Sequence, residues 1–207
     1  MKAGSKPRPA FDLHVELVLE DRNAVRKIRV GANITFERLH RIIQAAYQWQ
    51  DSHLYEFRLY KEGVLGEDVS VDIVMEKDPD LDRKKPRLAR RAKLCDYLHE
   101  HRHMLYLYDF GDYWEHCIDV VGSSDDYEGE LPELLAGEND APPEDVGGTT
   151  GFARFLEIMG QPEHEEHEDM KGWAESLGWE RFNFARASLR VYLAGNPGRG
   201  VWVKEDS

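Results

Sequence analysis

The chain has 207 residues with 40 acidic against 27 basic side chains, a formal charge of -13, and this excludes a protein that coats phosphate backbones by non-specific attraction. Hydrophobic content of 41% with 11% aromatics is that of a folded protein with one sizeable core. Two cysteines, Cys95 and Cys117, are too few for a disulfide framework or a four-cysteine zinc site and read as buried thiols. No run approaches the roughly 20 apolar residues of a membrane span. The expectation is a cytoplasmic protein with no membrane partner.

Residues 1–10 are polar and proline-interrupted and read as a flexible tail. Phe11, Leu13, Val15, Leu17 and Leu19 then alternate with polar residues, the period of a half-buried strand, and Val25 to Val30 returns as a second strand after an Asp21-Arg22-Asn23 turn. Thr35 can cap a helix whose Phe36, Leu39, Ile42, Ile43 and Ala46 form one apolar stripe. His53, Tyr55, Phe57 and Leu59 alternate again. Strand, strand, helix, strand is a β-grasp-like order. Lys61 to Asp82 reads as a loop with one irregular strand, and Arg83 to Lys93 gathers seven positive charges, the one place where nucleic acid could be met. His99, His101 and His103 offer imidazoles at spacing two but no fourth ligand, and read as a solvated connector. Leu94 to Leu98 reads as a short helix.

Tyr108-Asp109-Phe110-Gly111-Asp112-Tyr113-Trp114-Glu115-His116 is the densest stretch, with strand-like runs on both sides. A two-residue Gly111-Asp112 turn, with Gly111 at positive φ, predicts a hairpin in which Phe110 faces Tyr113 and Leu107 faces His116. One sheet face then holds Leu105, Leu107, Asp109, Trp114, His116 and Ile118. A carboxylate on that face needs a donor, and His116 and the Trp114 indole are nearest in the predicted register. Asp112 falls in the turn and is expected to be solvated.

Asp125 to Asp145 carries nine acids and no lysine or arginine and reads as a long loop. Its end, Ala141-Pro142-Pro143-Glu144-Asp145-Val146-Gly147-Gly148, joins two prolines that restrict the backbone to two glycines that free it. Such a segment is expected to pack on the hairpin and hold Glu144 and Asp145 near Asp109 and Asp112, where either a metal cation or a structural Arg or Lys would relieve the repulsion. Thr149 or Thr150 can cap the next helix, with Phe152, Phe155, Leu156 and Met159 inward. Pro162 opens another, with Met170, Trp173 and Leu177 inward. His164 and His167 are three apart, and a zinc-protease helix needs four. Phe182 to Leu193 reads as a last helix or strand, and residues 195–207 as a tail. The fold class is α+β, one domain over residues 11–194, with the hairpin at its centre and helices at its end.

Three ordered motifs carry a resemblance. His53-Leu54-Tyr55-Glu56-Phe57 after a helix with Leu39-His40 and Ile43-Gln44, then Tyr108 to His116, then Pro142-Pro143-Glu144-Asp145-x-Gly147-Gly148-x-x-Gly151, resemble the Ri-plasmid (pRiA) ORF-three-like family over about Phe11 to Leu193. The resemblance implies an α+β fold and a setting on plasmids and insertion elements, and it brings no catalytic mechanism. The resolvase-type label that some members carry fits poorly, because no serine sits among clustered arginines. Many relatives hold cysteines where this chain has Leu134 and Val146, and Asp where it has Asn183, so a cysteine metal site is excluded here.

Two functions follow as expectations. The first is a binding or interaction module, an accessory protein of a mobile element whose partner is a protein or small ligand. It would bind at the junction of the hairpin end, the Pro-Pro-Glu-Asp loop and His53, through His53, Tyr108, Trp114, Gly147 and Gly148. The second is a hydrolase or nucleic-acid-processing enzyme. It would use Asp109, Asp112, His116, Glu144 and Asp145 with magnesium, manganese or zinc, for which Asp109, His116, Glu144 and Asp145 are the candidate ligands.

Overall fold

The structure, a computed structural model, describes residues 7–61, 69–76 and 86–198. In chain order the strands are β1 (Arg8–Leu17), β2 (Ala24–Gly31), β3 (Tyr55–Tyr60), β4 (Val69–Val74), β5 (Arg87–Leu88), β6 (His103–Tyr108), β7 (Trp114–Tyr127) and β8 (Glu133–Glu138). The helices are α1 (Phe36–Tyr47, between β2 and β3), α2 (Gly148–Met159), α3 (His167–Ser176) and α4 (Phe184–Gly195). All eight strands form one sheet in the order β5-β4-β3-β6-β7-β1-β2-β8, antiparallel except for the β4–β5 pair. The fold is α+β, as the element pattern predicts. The expected strand-strand-helix-strand run is present, but β6 and β7 stand between β3 and β1, so the sheet places the hairpin at its centre.

Alternation places the core. In β1, Phe11, Leu13, Val15 and Leu17 are buried under the helices while Asp12, His14 and Glu16 are half-buried on the other face. The α1 stripe is entirely buried, and Thr35 caps it as expected by accepting from the Arg38 N–H. The same parity puts Arg26 of β2 in the core. Its guanidinium donates to the carbonyls of Ala46, Val25, Glu138 and Asn139 and lies over the Tyr47 and Phe182 rings, which ties α1 to the end of β8. Burial lowers its pKa to about 10, so it stays charged at neutral pH.

The hairpin register differs from the sequence expectation by one residue. Tyr108 pairs with Trp114, Leu107 with Glu115 and Tyr106 with His116. The connection is Asp109 to Tyr113, not Gly111-Asp112, and the positive φ values belong to Asp109 (56°) and Tyr113 (59°) rather than to Gly111. Asp109 causes this, since its carboxylate accepts the Gly111 N–H at 2.9 Å and its carbonyl accepts the Tyr113 N–H, and a short polar side chain tolerates the left-handed region. A one-residue slip moves one strand's side chains to the opposite face. Tyr106 and Tyr108, not Leu105 and Leu107, therefore share the core face with Trp114 and His116. Leu105 and Leu107 pack on the other face with Tyr60 and Cys117.

Other expectations move as well. Arg8 to Ala10, expected in a tail, begin β1. Much of the acidic stretch after Val121 is strand, in β7 and β8. Gly147 precedes α2 in place of a threonine cap, while Thr149 and Thr150 donate to Glu20. Pro162 lies in turns before α3, which starts at His167. Cys95 and Cys117 are free and half-buried rather than buried. His101 is buried and bonded to the Tyr97 carbonyl and Ser70, whereas His99, Glu100 and Arg102 are exposed as expected of a solvated connector, and the three histidines do not converge. The expected loop segments 62–68 and 77–85, with Arg83 to Lys85, lie outside the described residues, while Arg87, Arg90, Arg91 and Lys93 are exposed.

Candidate functional site

The site forms where the turn after α1, the β6–β7 connection and the Pro142–Gly148 segment meet. Tyr108, the last residue of β6, lies on the core face with its ring stacked on Trp49 at 5.1 Å. Its hydroxyl accepts the Ser52 N–H at 3.0 Å and donates to Glu144. The Glu144 carboxylate also accepts the Gln50 N–H at 2.8 Å, and the Trp49 indole donates to the Pro142 carbonyl. Trp49, Gln50 and Ser52 thus bind the proline segment to the hairpin, a role their sequence context did not signal. The two elements on either side were legible; the turn that clasps them was not.

Gly147 and Gly148 have positive φ, and the Gly147 N–H donates to the Asp112 carboxylate at 3.1 Å. A Cβ on Gly148 would lie 3.1 Å from the Asp112 carbonyl oxygen, and one on Gly151 would lie 1.9 Å from the Val146 carbonyl oxygen, so the glycines allow the segment to close on the hairpin. Asp112 is therefore half-buried and engaged while its carboxylate stays at the surface.

His53 stands edge-on to Tyr108, and its Nε2 points among three carboxylates. Asp145 Oδ1 is 3.1 Å away, Asp109 Oδ2 3.7 Å and Glu144 Oε2 3.8 Å. Ligand atoms of His53, Asp109 and Asp145 all lie within 4.8 Å of one another. Yet Nε2 is buried and makes no well-formed hydrogen bond. Glu144 is 5% exposed and Asp145 66%, so the cluster is closed on one side and open on the other. Burial raises the Glu144 pKa, against the lowering effect of the Gln50 N–H, the Tyr108 hydroxyl and His53. Burial also raises that of Tyr108, with the Glu144 charge adding to it.

His116 and Trp114, both sequence candidates, are elsewhere. Each is fully buried in the core. The His116 Nδ1 faces the carbonyls of Tyr106 and Trp114, its Nε2 and the Trp114 Nε1 have no partner, and burial lowers the His116 pKa to about 3. Asp109 bonds to neither of them. His164 and His167 are also engaged locally, with the Glu166 N–H and the Ile158 carbonyl. Asn183 caps α4 by accepting the Arg186 N–H, which an Asp would do equally well. An open groove of about 570 Å³ begins at Asp145 and runs along Val146, Gly151, Arg154, Met170 and Trp173.

The molecule is thus an α+β protein with one central hairpin and a histidine–carboxylate cluster at the hairpin's end. The profile of the plasmid pRiA4b ORF-3-like proteins matches residues 9–188, and the chain belongs to that family. It is 36% identical over 182 residues to the uncharacterized protein y4hQ of Sinorhizobium fredii, with 86% of each chain covered. It is also similar to the crystal structure of MM3350 from Methanosarcina mazei, a protein of unknown function, at 34% identity and a TM-score of 0.70, covering 86% of this chain and 96% of that one. No helix among the described residues is long and apolar enough to cross a membrane.

Proposed function

We propose that this protein is a cation-dependent binding module in which His53, Asp109 and Asp145 take one divalent cation at the hairpin's end. The observation that carries the reading is the buried Nε2 of His53, set among carboxylates without a hydrogen bond of its own. One imidazole with two carboxylates suits zinc or manganese better than calcium or magnesium, which favour all-oxygen shells. Three protein ligands leave coordination positions open. Asp145 is the exposed member and borders the groove, so a protein or small ligand lying in the groove would complete the shell. The strongly acidic chain supports such a partner over nucleic acid. Two unpaired thiols suit a cytoplasmic setting, and the family's plasmid association supports an accessory role in a mobile element.

Elemental analysis of the purified protein, with zinc and manganese titrations followed calorimetrically, tests the reading. One equivalent should bind, and metal at about a hundred times its Kd should stabilise the fold by about 2.7 kcal/mol. His53→Ala should abolish both effects. No binding by the unaltered chain would sink the proposal.

A hydrolytic second reading rests on Glu144, a desolvated carboxylate with a raised pKa beside the cluster, which is where a proton-moving group would stand. Glu144→Gln should then keep the metal and lose hydrolysis of a chromogenic phosphodiester. Absence of hydrolysis in the metal-loaded protein leaves the module without that step.

A further inference from the structure

A second pocket, of about 280 Å³ and sharing no lining residue with the hairpin cluster, lies between the start of β1, the N-terminal half of α1 and the end of α4. In a chain of charge -13 its described lining holds two arginines, Arg8 and Arg38, and no Asp or Glu. Each guanidinium is held in place by a backbone carbonyl. Arg8 Nη2 donates to the Gly129 oxygen at 3.1 Å, and Arg38 Nη1 donates to the Ala194 oxygen at 2.9 Å, where it also answers the carbonyl end of α4. Arg8 Nε is buried and meets no acceptor among the described residues. A guanidinium presents its donors as a fork, so fixing one edge on a carbonyl orients the others. A buried guanidinium N–H without an acceptor is costly, and an oxyanion is the group whose geometry answers it. The remaining walls are mixed, with Ile34, Ile42 and Leu131 on the apolar side and Asn33 and Asn196 on the polar side.

We infer that this pocket binds a small oxyanion, with Arg8 and Arg38 as the recognising residues and the apolar walls accommodating a short carbon stem. Its volume is close to the lower end of ligand sites, so the occupant is a small molecule and not a polymer. The site is independent of the hairpin cluster and needs no metal.

The test measures binding of inorganic phosphate, and separately of butyrate, to the full chain at matched ionic strength against chloride. Calorimetry and the side-chain Nε–H resonance of Arg8 provide the two readouts. Either anion should bind and shift that resonance. Phosphate alone binding means that the head group suffices, and butyrate binding more tightly means that the stem is recognised; both support the pocket. Arg38→Gln should weaken binding by about tenfold or more, the loss expected for one charge-assisted hydrogen bond. Gly31→Ala supplies a variant that keeps both arginines, because its Cβ would meet Leu131 and Ile34 at 3.7 and 3.9 Å, and it should weaken butyrate by narrowing the pocket. No response to either anion, or an unchanged response in Arg38→Gln, overturns the inference.

Discussion

Two histidine–carboxylate clusters draw on the Gln48–His53 turn, one through Asp51 and the other through His53, and they differ in how their polar atoms are matched. In the first, His40 stacks on Tyr55 at 3.6 Å, its Nδ1 meets the Tyr106 hydroxyl at 2.7 Å and its Nε2 meets Asp51 at 2.6 Å. Gln44 closes the circuit by donating to the Tyr106 hydroxyl and accepting the Asp51 N–H. Burial holds His40 neutral at physiological pH, so the Tyr106 hydroxyl donates to Nδ1 and Nε2–H donates to Asp51. Each of these polar atoms is matched. In the second cluster one imidazole nitrogen faces three carboxylates and is matched by none. Neighbouring residues of the same strand face, Tyr106 and Tyr108, support the two. A closed network holds the turn in place; the open one is where the proposed cation would bind.

The sharpest separation should come from acid. His116 is held neutral by burial with its pKa near 3, whereas in the unfolded chain it titrates near 6.5. Protons therefore go to the unfolded state first. The stability this provides is complete above about pH 6.5 and is lost as pH falls toward 3, on the order of 3 kcal/mol by pH 4. Urea denaturation at pH 7 and pH 4 measures it, and His116→Phe should flatten the difference. A stability independent of pH in that window would show that water reaches this part of the core.

Tyr106→Phe opens the closed network and leaves the His40 Nδ1 and the Gln44 amide without partners, so about 2 kcal/mol should be lost in chemical denaturation. An unchanged midpoint would remove the contrast between the clusters. Next in size is Asp109→Ala, at about 1–2 kcal/mol. It loses the Gly111 N–H acceptor and forces alanine to a φ of 56°. Asp145→Asn should change stability by less than about 0.5 kcal/mol, because that side chain is exposed, yet it should lose the cation as fully as Asp109→Ala does. Metal affinity and melting temperature measured on both variants decide whether Asp109 serves the turn, the site or both.

The smallest effect belongs to Glu144. Its pKa is raised in the folded state, so the folded protein takes up the proton first, and its ionised form costs stability as pH rises through that value. Glu144→Gln should remove this slope and leave the metal-free protein at least as stable at pH 7, since the amide oxygen still accepts from Gln50 and Tyr108. A marked destabilisation instead would mean that the charge itself holds the Pro142–Gly148 segment to the hairpin.

Local pattern was enough for the strands β1 to β3, the capped α1 stripe and the choice of hairpin and proline segment as partners, because period and capping are properties of short windows. It was enough to single out His53, Asp109, Glu144 and Asp145. It could not separate them from His116 and Trp114. That distinction depends on register, and register turned on whether Gly111 or Asp109 took the left-handed conformation. A one-residue difference there reversed the face of every β6 side chain, so Tyr106 and Tyr108 cover Trp114 and His116 while Asp109 turns out of the strand toward His53. Arg26, Trp49 and Gln50 were invisible for a related reason, since a buried guanidinium, an indole and a backbone N–H acquire their partners from residues about 20 to 112 positions away. Composition and periodicity determined the elements and their apolar faces; which polar groups are satisfied, and which is left unmatched, was decided only when the three segments closed around the end of the hairpin.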